Sequence, residues 1–139
     1  MKSYVVDASV VAEAILRDSL ADVAVRVLTG GHVMLAPNLI YAEVAHVLKK
    51  KCVGGLLDEL DAQVSLAEVR RLPLKITPCG ELAESALRLA LDTKRSAYDC
   101  MYLALAENTD TVMVSADKRF TNALANTPWA KHVVWLGDM

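Results

Sequence analysis

Four carboxylates in this 139-residue chain stand where an ordinary surface acid would not. Asp7 follows the apolar run of "SYVVDASVVAE", Glu43 lies inside "LIYAEVAHVL", Asp99 inside "SAYDCMYLALAEN", and Asp117 closes "VMVSAD". Taking a carboxylate out of water is costly unless a partner compensates for the lost hydration. Three of the four have a simple structural explanation. Asp7 and Asp117 sit between an apolar run and a helical pattern, where an Asp commonly caps the helix. Ser96-x-x-Asp99 is a capping-box pattern. Glu43 has no such excuse: its neighbours at i−4, i−3, i+3 and i+4 are Leu39, Ile40, His46 and Val47, so no Lys or Arg is placed to pair with it.

If the four meet, their mutual repulsion forces some to hold protons unless a cation intervenes. An oxygen-only set without His or Cys companions suits Mg²⁺, or Mn²⁺, better than zinc. The chemistry that such a site supports is metal-assisted hydrolysis of a phosphodiester.

Whether they meet depends on the elements that carry them. Short apolar runs read as strands at "SYVVD", "HVMLA", "LKIT", "DTVMVSAD" and "HVVWL". Between them, helical patterns run through "SVVAEAILRD", "SLADVAVRVLTGG", "LIYAEVAHVLKKK", "LLDELDAQVSLAEVRRL", "GELAESALRLALDT", "SAYDCMYLALAEN" and "KRFTNALAN". Pro37-Asn38 is expected to start the third helix, and the Gly30-Gly31 and Gly54-Gly55 pairs to break the chain. Strands alternating with helices predict an α/β fold with a mainly parallel sheet of about five strands. In such a sheet ligands bind beside the strands' C-terminal edge. Asp7 ends the first strand and Asp117 follows the fourth, so both belong at that edge; Glu43 lies early in a helix leaving it, and the helix bearing Asp99 must begin there.

Bulk properties narrow the rest. The length fits one domain over residues 1–139 with a core that needs no disulfides. Cys52, Cys79 and Cys100 are odd in number and form no CxxC pair, as expected of small core residues in a reduced, cytoplasmic protein. No run is apolar enough to span a membrane, and "MKSYVVDAS" meets an acid too early to be a signal peptide. A net charge of −2 argues against holding nucleic acid on a broad basic surface. Any such contact must use local cations. Lys94 and Arg95 flank Asp99, and Lys118 and Arg119 flank Asp117, so these four are the candidates for phosphate contacts. Lys49-Lys50-Lys51 reads first as a cationic helix end, the three His have no metal-ligand spacing, and Trp129 and Trp135 read as packing.

Taken together in order, "VVDASVVAE", "LIYAEVAHVL", "AYDCMYLALA" and "VMVSADKRF" resemble the PIN-domain nucleases, and among them the VapC-type toxin ribonucleases. The resemblance spans nearly the whole chain and implies a PIN-like three-layer α/β/α domain. It implies Mg²⁺- or Mn²⁺-dependent cleavage of RNA by acids matching Asp7, Glu43, Asp99 and Asp117, with Ser9 and Ser115 as supporting hydroxyls. It also implies a homodimer restrained by a small antitoxin that covers the acidic site. Two alternatives from the same scaffold are a free-standing nuclease without an antitoxin and a non-catalytic RNA- or protein-binding module. A phosphoacceptor receiver domain fits poorly, because it needs a second acid after the first strand and an Asp ending the third, where this chain has "DAS" and "LKITP". The same "DAS" disfavours a phosphatase of the haloacid-dehalogenase kind.

Overall fold

The computed structural model describes residues 2–139. Its first half runs β1 (Ser3–Val6), α1 (Ala8–Leu16), α2 (Ala21–Thr29), β2 (Val33–Pro37), α3 (Leu39–Val53) and α4 (Glu59–Arg70). Its second half runs β3 (Leu74–Thr77), α5 (Cys79–Thr93), α6 (Ala97–Thr109), β4 (Val112–Ser115), α7 (Lys118–Leu124) and β5 (Val133–Trp135). Each strand and helix anticipated from the sequence forms, within a few residues of its expected ends.

The five strands pair in the order β3-β2-β1-β4-β5, and every pairing is parallel. Parallel strands need helical crossovers, and right-handed crossovers place helices by the direction of travel across the sheet. The steps β1→β2→β3 go one way, and α1 to α4 pack together on one face; the return to β4 brings α5 and α6 to the other. The sheet is thus covered on both sides, which is why central β1 buries both Val5 and Val6 completely. Helix α6 lies across β1, β2 and β4 and buries Cys100 and the run from Tyr102 to Ala106, so its apolar composition reflects burial nearly all round.

The order in which successive strands are added reverses between β1 and β4, and the C-terminal ends of these two parallel strands open a crevice there. The Asp7 N–H still donates to the Val114 carbonyl at 3.1 Å, so the side chain leaves a backbone anchored in the sheet. Gly31 and Gly55 both adopt positive φ, +79° and +73°, and let the chain turn out of α2 and α3. One local expectation shifts. Pro37 is the last residue of β2 and not a helix starter, and the Asn38 carboxamide caps no amide of α3. Its Oδ1 accepts from the Cys79 N–H at 3.0 Å and ties the end of β2 to the start of α5.

Candidate active site

A cavity of about 440 Å³ opens at the crevice, and Asp7, Glu43, Asp99 and Asp117 all line it. The four acids come from four elements, and each is held in a different way.

Asp7 takes the N-cap position of α1 yet makes no cap hydrogen bond; it is 7% exposed and bound by two hydroxyls instead. Ser9 Oγ donates to Asp7 Oδ2 at 2.6 Å and Ser115 Oγ donates to the same oxygen at 3.0 Å. Each serine also accepts an amide from the turn after β4: Ala116 N–H to Ser9 Oγ at 2.9 Å, Asp117 N–H to Ser115 Oγ at 3.1 Å. The hydroxyls therefore join Asp7 to the segment that delivers Asp117, and leave Oδ1 without these bonds. Burial pushes the Asp7 carboxyl up to about 6 against the serine bonds, and the charges of Asp99 and Glu43 push the same way.

Asp117 does cap its helix, accepting the Phe120 N–H at 3.2 Å, while still lining the cavity. In the capping box only the first half forms: Ser96 Oγ accepts the Asp99 N–H at 3.0 Å. The shorter Asp side chain is left to the cavity. Burial raises the Asp99 carboxyl above its ordinary range; the Ser96 hydroxyl offsets part of that, Asp117 adds to it, and nearby Arg95 lowers it.

The partner that Glu43 lacked in its own helix is Tyr102, whose buried Oη donates to Glu43 Oε1 at 2.7 Å. Burial raises the Glu43 carboxyl, the tyrosine bond pulls it back, and Asp99 raises it again. Tyr102 itself is driven far above the usual phenol range by burial and then by the charges of Asp7 and Glu43, so it stays a neutral donor. The tyrosine sits in the quoted "AYDCMYLALA", but nothing in its spacing announces a bond to a residue 59 positions away.

Of the candidate phosphate contacts, Lys94, Arg95, Lys118 and Arg119, none lines the acid cavity itself, although Arg95 stands near enough to Asp99 to lower its carboxyl. Lys94 ends α5 in the left-handed conformation, at φ 60°. Lys118 Nζ lies 4.4 Å from the centre of the Trp135 ring, facing a separate cavity between α7 and β5 that Asn122 also lines. The structure also brings His46, Lys50 and Tyr98 to the acid cavity, three residues to which local sequence gives no role at the acids. His46 adds a nitrogen to a wall expected to carry oxygen donors alone. Trp129 packs against the core and donates from Nε1 to Glu107 Oε2 at 3.1 Å.

Among the described residues, no three His, Cys, Asp or Glu side chains are drawn close enough to make a ready chelate. The acids share a cavity and perturb one another's ionisation without closing into a cage, as carboxylates do when only repulsion acts between them. Mg²⁺ needs no cage; it is usually held by one or two carboxylates and keeps several waters. Four carboxylates lining one cavity are oxygen donors of the kind that suits a hard divalent cation.

Known proteins share this family and fold. A family model described as the PIN domain matches residues 4–124. Ribonuclease VapC9 of Mycobacterium tuberculosis is 32% identical over 118 residues, covering 85% of this chain and 88% of the relative. The crystal structure of PAE2754 from Pyrobaculum aerophilum superposes with a TM-score of 0.71 at 23% identity, over 99% of this chain and 85% of that one. A chain of a toxin-antitoxin complex from Klebsiella pneumoniae gives a TM-score of 0.63 at 17% identity, over 94% and 95%.

Proposed function

The chain belongs to the PIN-domain family and, within it, to the VapC ribonucleases, and from that premise we propose that it is a Mg²⁺- or Mn²⁺-dependent endoribonuclease acting as the toxin of a VapBC-type pair. The observation that carries this reading is the lining of one cavity by Asp7, Glu43, Asp99 and Asp117 at the switch point of the sheet. When bound, the metal supplies an activated water and offsets charge on the phosphate oxygens. Asp7, Glu43, Asp99 and Asp117 are the residues that would hold it. The Ser9 and Ser115 hydroxyls fix one oxygen of Asp7, and Tyr102 fixes one of Glu43, so the remaining oxygens are oriented before substrate arrives.

The proposed partner is a small antitoxin whose terminal segment covers the acids. The apolar groove between α1, α2 and α4, lined by Ile15, Val25, Leu28, Leu57 and Val64, supports this reading, as does the likeness to a chain of a toxin-antitoxin complex. Exposed Leu87 and Leu91 on α5 support a homodimer. Among the described residues no helix is long and apolar enough to cross a membrane, and we place the activity in the cytoplasm, with its RNA.

The test is cleavage of a labelled RNA by the purified chain with Mg²⁺, with Mn²⁺ and with EDTA. The reading expects cleavage only with metal, and its loss in a folded Asp99→Asn variant. Equal cleavage by that variant, or cleavage in EDTA, would remove the acids from the mechanism.

A further inference from the structure

The acid cavity extends past the carboxylates along a single stripe of α3. Glu43, His46, Val47 and Lys50 fall at i, i+3, i+4 and i+7, and all four line it. With a rise of about 1.5 Å per residue, Lys50 stands roughly 10 Å along the helix axis from Glu43, a reach that a short stretch of single strand spans. Tyr98, from the first turn of α6 beside Asp99, completes this end of the cavity. The residue is 64% exposed although Tyr gains by burying its apolar body. Among the described residues the one ion pair joins Arg88 and Glu107, so the Lys50 ammonium is held by no carboxylate.

We propose that this end of the cavity is a subsite for single-stranded RNA beside the acids, in which the Tyr98 ring stacks an unpaired base and the Lys50 ammonium holds a backbone phosphate. The proposal rests on the nuclease reading above and adds two positioning residues to it. An aromatic face next to a cation is the combination by which proteins hold single strands without reading their sequence. The base must be unpaired, because a base inside a duplex has no free face to offer the ring. Charge gives Lys50 its purpose. Four carboxylates on a chain of net charge −2 repel RNA, and a cation at the far end of the same cavity draws the strand in and fixes its register over the acids.

The experiment uses an Asp7→Asn background, which keeps the cavity but not the cleavage, and a fluorescein-labelled single-stranded RNA read by anisotropy. Tyr98→Ala should weaken binding about tenfold, and Tyr98→Phe, which keeps the ring, should bind like its parent. Lys50→Gln should weaken binding and flatten the dependence of log K on log salt by about 0.7, the loss of one phosphate contact on a single strand. A duplex of the same sequence should bind more weakly and be indifferent to Tyr98→Ala. Unchanged affinity and salt slope in Tyr98→Ala and Lys50→Gln, with the parent still binding RNA, would overturn the subsite and leave the nuclease reading standing. If Tyr98→Ala instead changes the sedimenting mass and not RNA affinity, the ring belongs to a protein contact and the proposal fails. No RNA binding by the parent together with no metal-dependent cleavage by wild type would remove the nuclease reading and the subsite with it.

Discussion

The Tyr102 hydroxyl donates to Glu43 Oε1 at 2.7 Å, joining the buried helix α6 to α3. This bond allows an acid to stand on the apolar stripe of α3, and it holds Glu43 toward the cavity it shares with Asp7, Asp99 and Asp117. Tyr102→Phe removes the donor and little volume. Glu43 then shifts further toward its protonated form, since the tyrosine bond is what pulls it down. Partners that orient a ligand typically contribute about 10- to 100-fold in metal affinity. Calorimetric titration with Mn²⁺ should show a loss of that size, with cleavage partly recovered at saturating metal.

Asp7 sets a pH dependence in metal-free protein. Its carboxyl is held at about 6 in the folded chain, against an ordinary 3.8. Across that window the folded state keeps a proton that the unfolded state releases, so stability falls as pH rises from about 4 to about 6. The gap corresponds to about 3 kcal/mol. Asp7→Asn removes the titrating group, so in EDTA near neutral pH the variant should melt above wild type, and the two should converge below about pH 4. Thermal melts across that range check it; a variant that melts lower at neutral pH would show that its lost bonds outweigh the buried charge.

Ser115 is fully buried and serves two bonds, donating to Asp7 Oδ2 and accepting the Asp117 N–H. Ser115→Ala leaves that amide without its acceptor, a loss of about 1–3 kcal/mol, and loosens both acids at once. Melting temperature and cleavage rate should fall together in Ser115→Ala. Both should return in Ser115→Thr, which keeps the hydroxyl.

Ser96 separates capping from chemistry at α6. Ser96→Ala should cost about 1 kcal/mol of stability, the usual value of an N-cap hydroxyl, and leave cleavage near wild type. Asp99→Asn should do the reverse, holding the melting temperature and losing cleavage. A Ser96→Ala variant that stays folded and yet fails to cleave would mean that the hydroxyl acts on the Asp99 carboxylate more than on the helix.

The sequence by itself determined the strands, the helices and the edge to which the acids come. Each of those follows from local signals: "SYVV" is short, apolar and β-branched, "SAYDCMYLALAEN" has helical spacing behind a capping Ser, and alternating strands and helices admit few arrangements. Even Glu43 declared itself, because its helical neighbours within four residues include no Lys or Arg. What only the tertiary structure decided are the relations between distant residues. Nothing local could name Tyr102 as the partner of Glu43, 59 positions away, or bring Ser115 to Asp7, 108 positions away. Nor could sequence adjacency aim Lys118 at the Trp135 ring, or show that Lys50, in the last turn of α3 as a helix-end cation should be, also lines the acid cavity. Periodicity reports which face of an element is buried. Which residue of another element meets that face depends on strand order, crossover hand and helix register, and these are set by packing the whole chain at once.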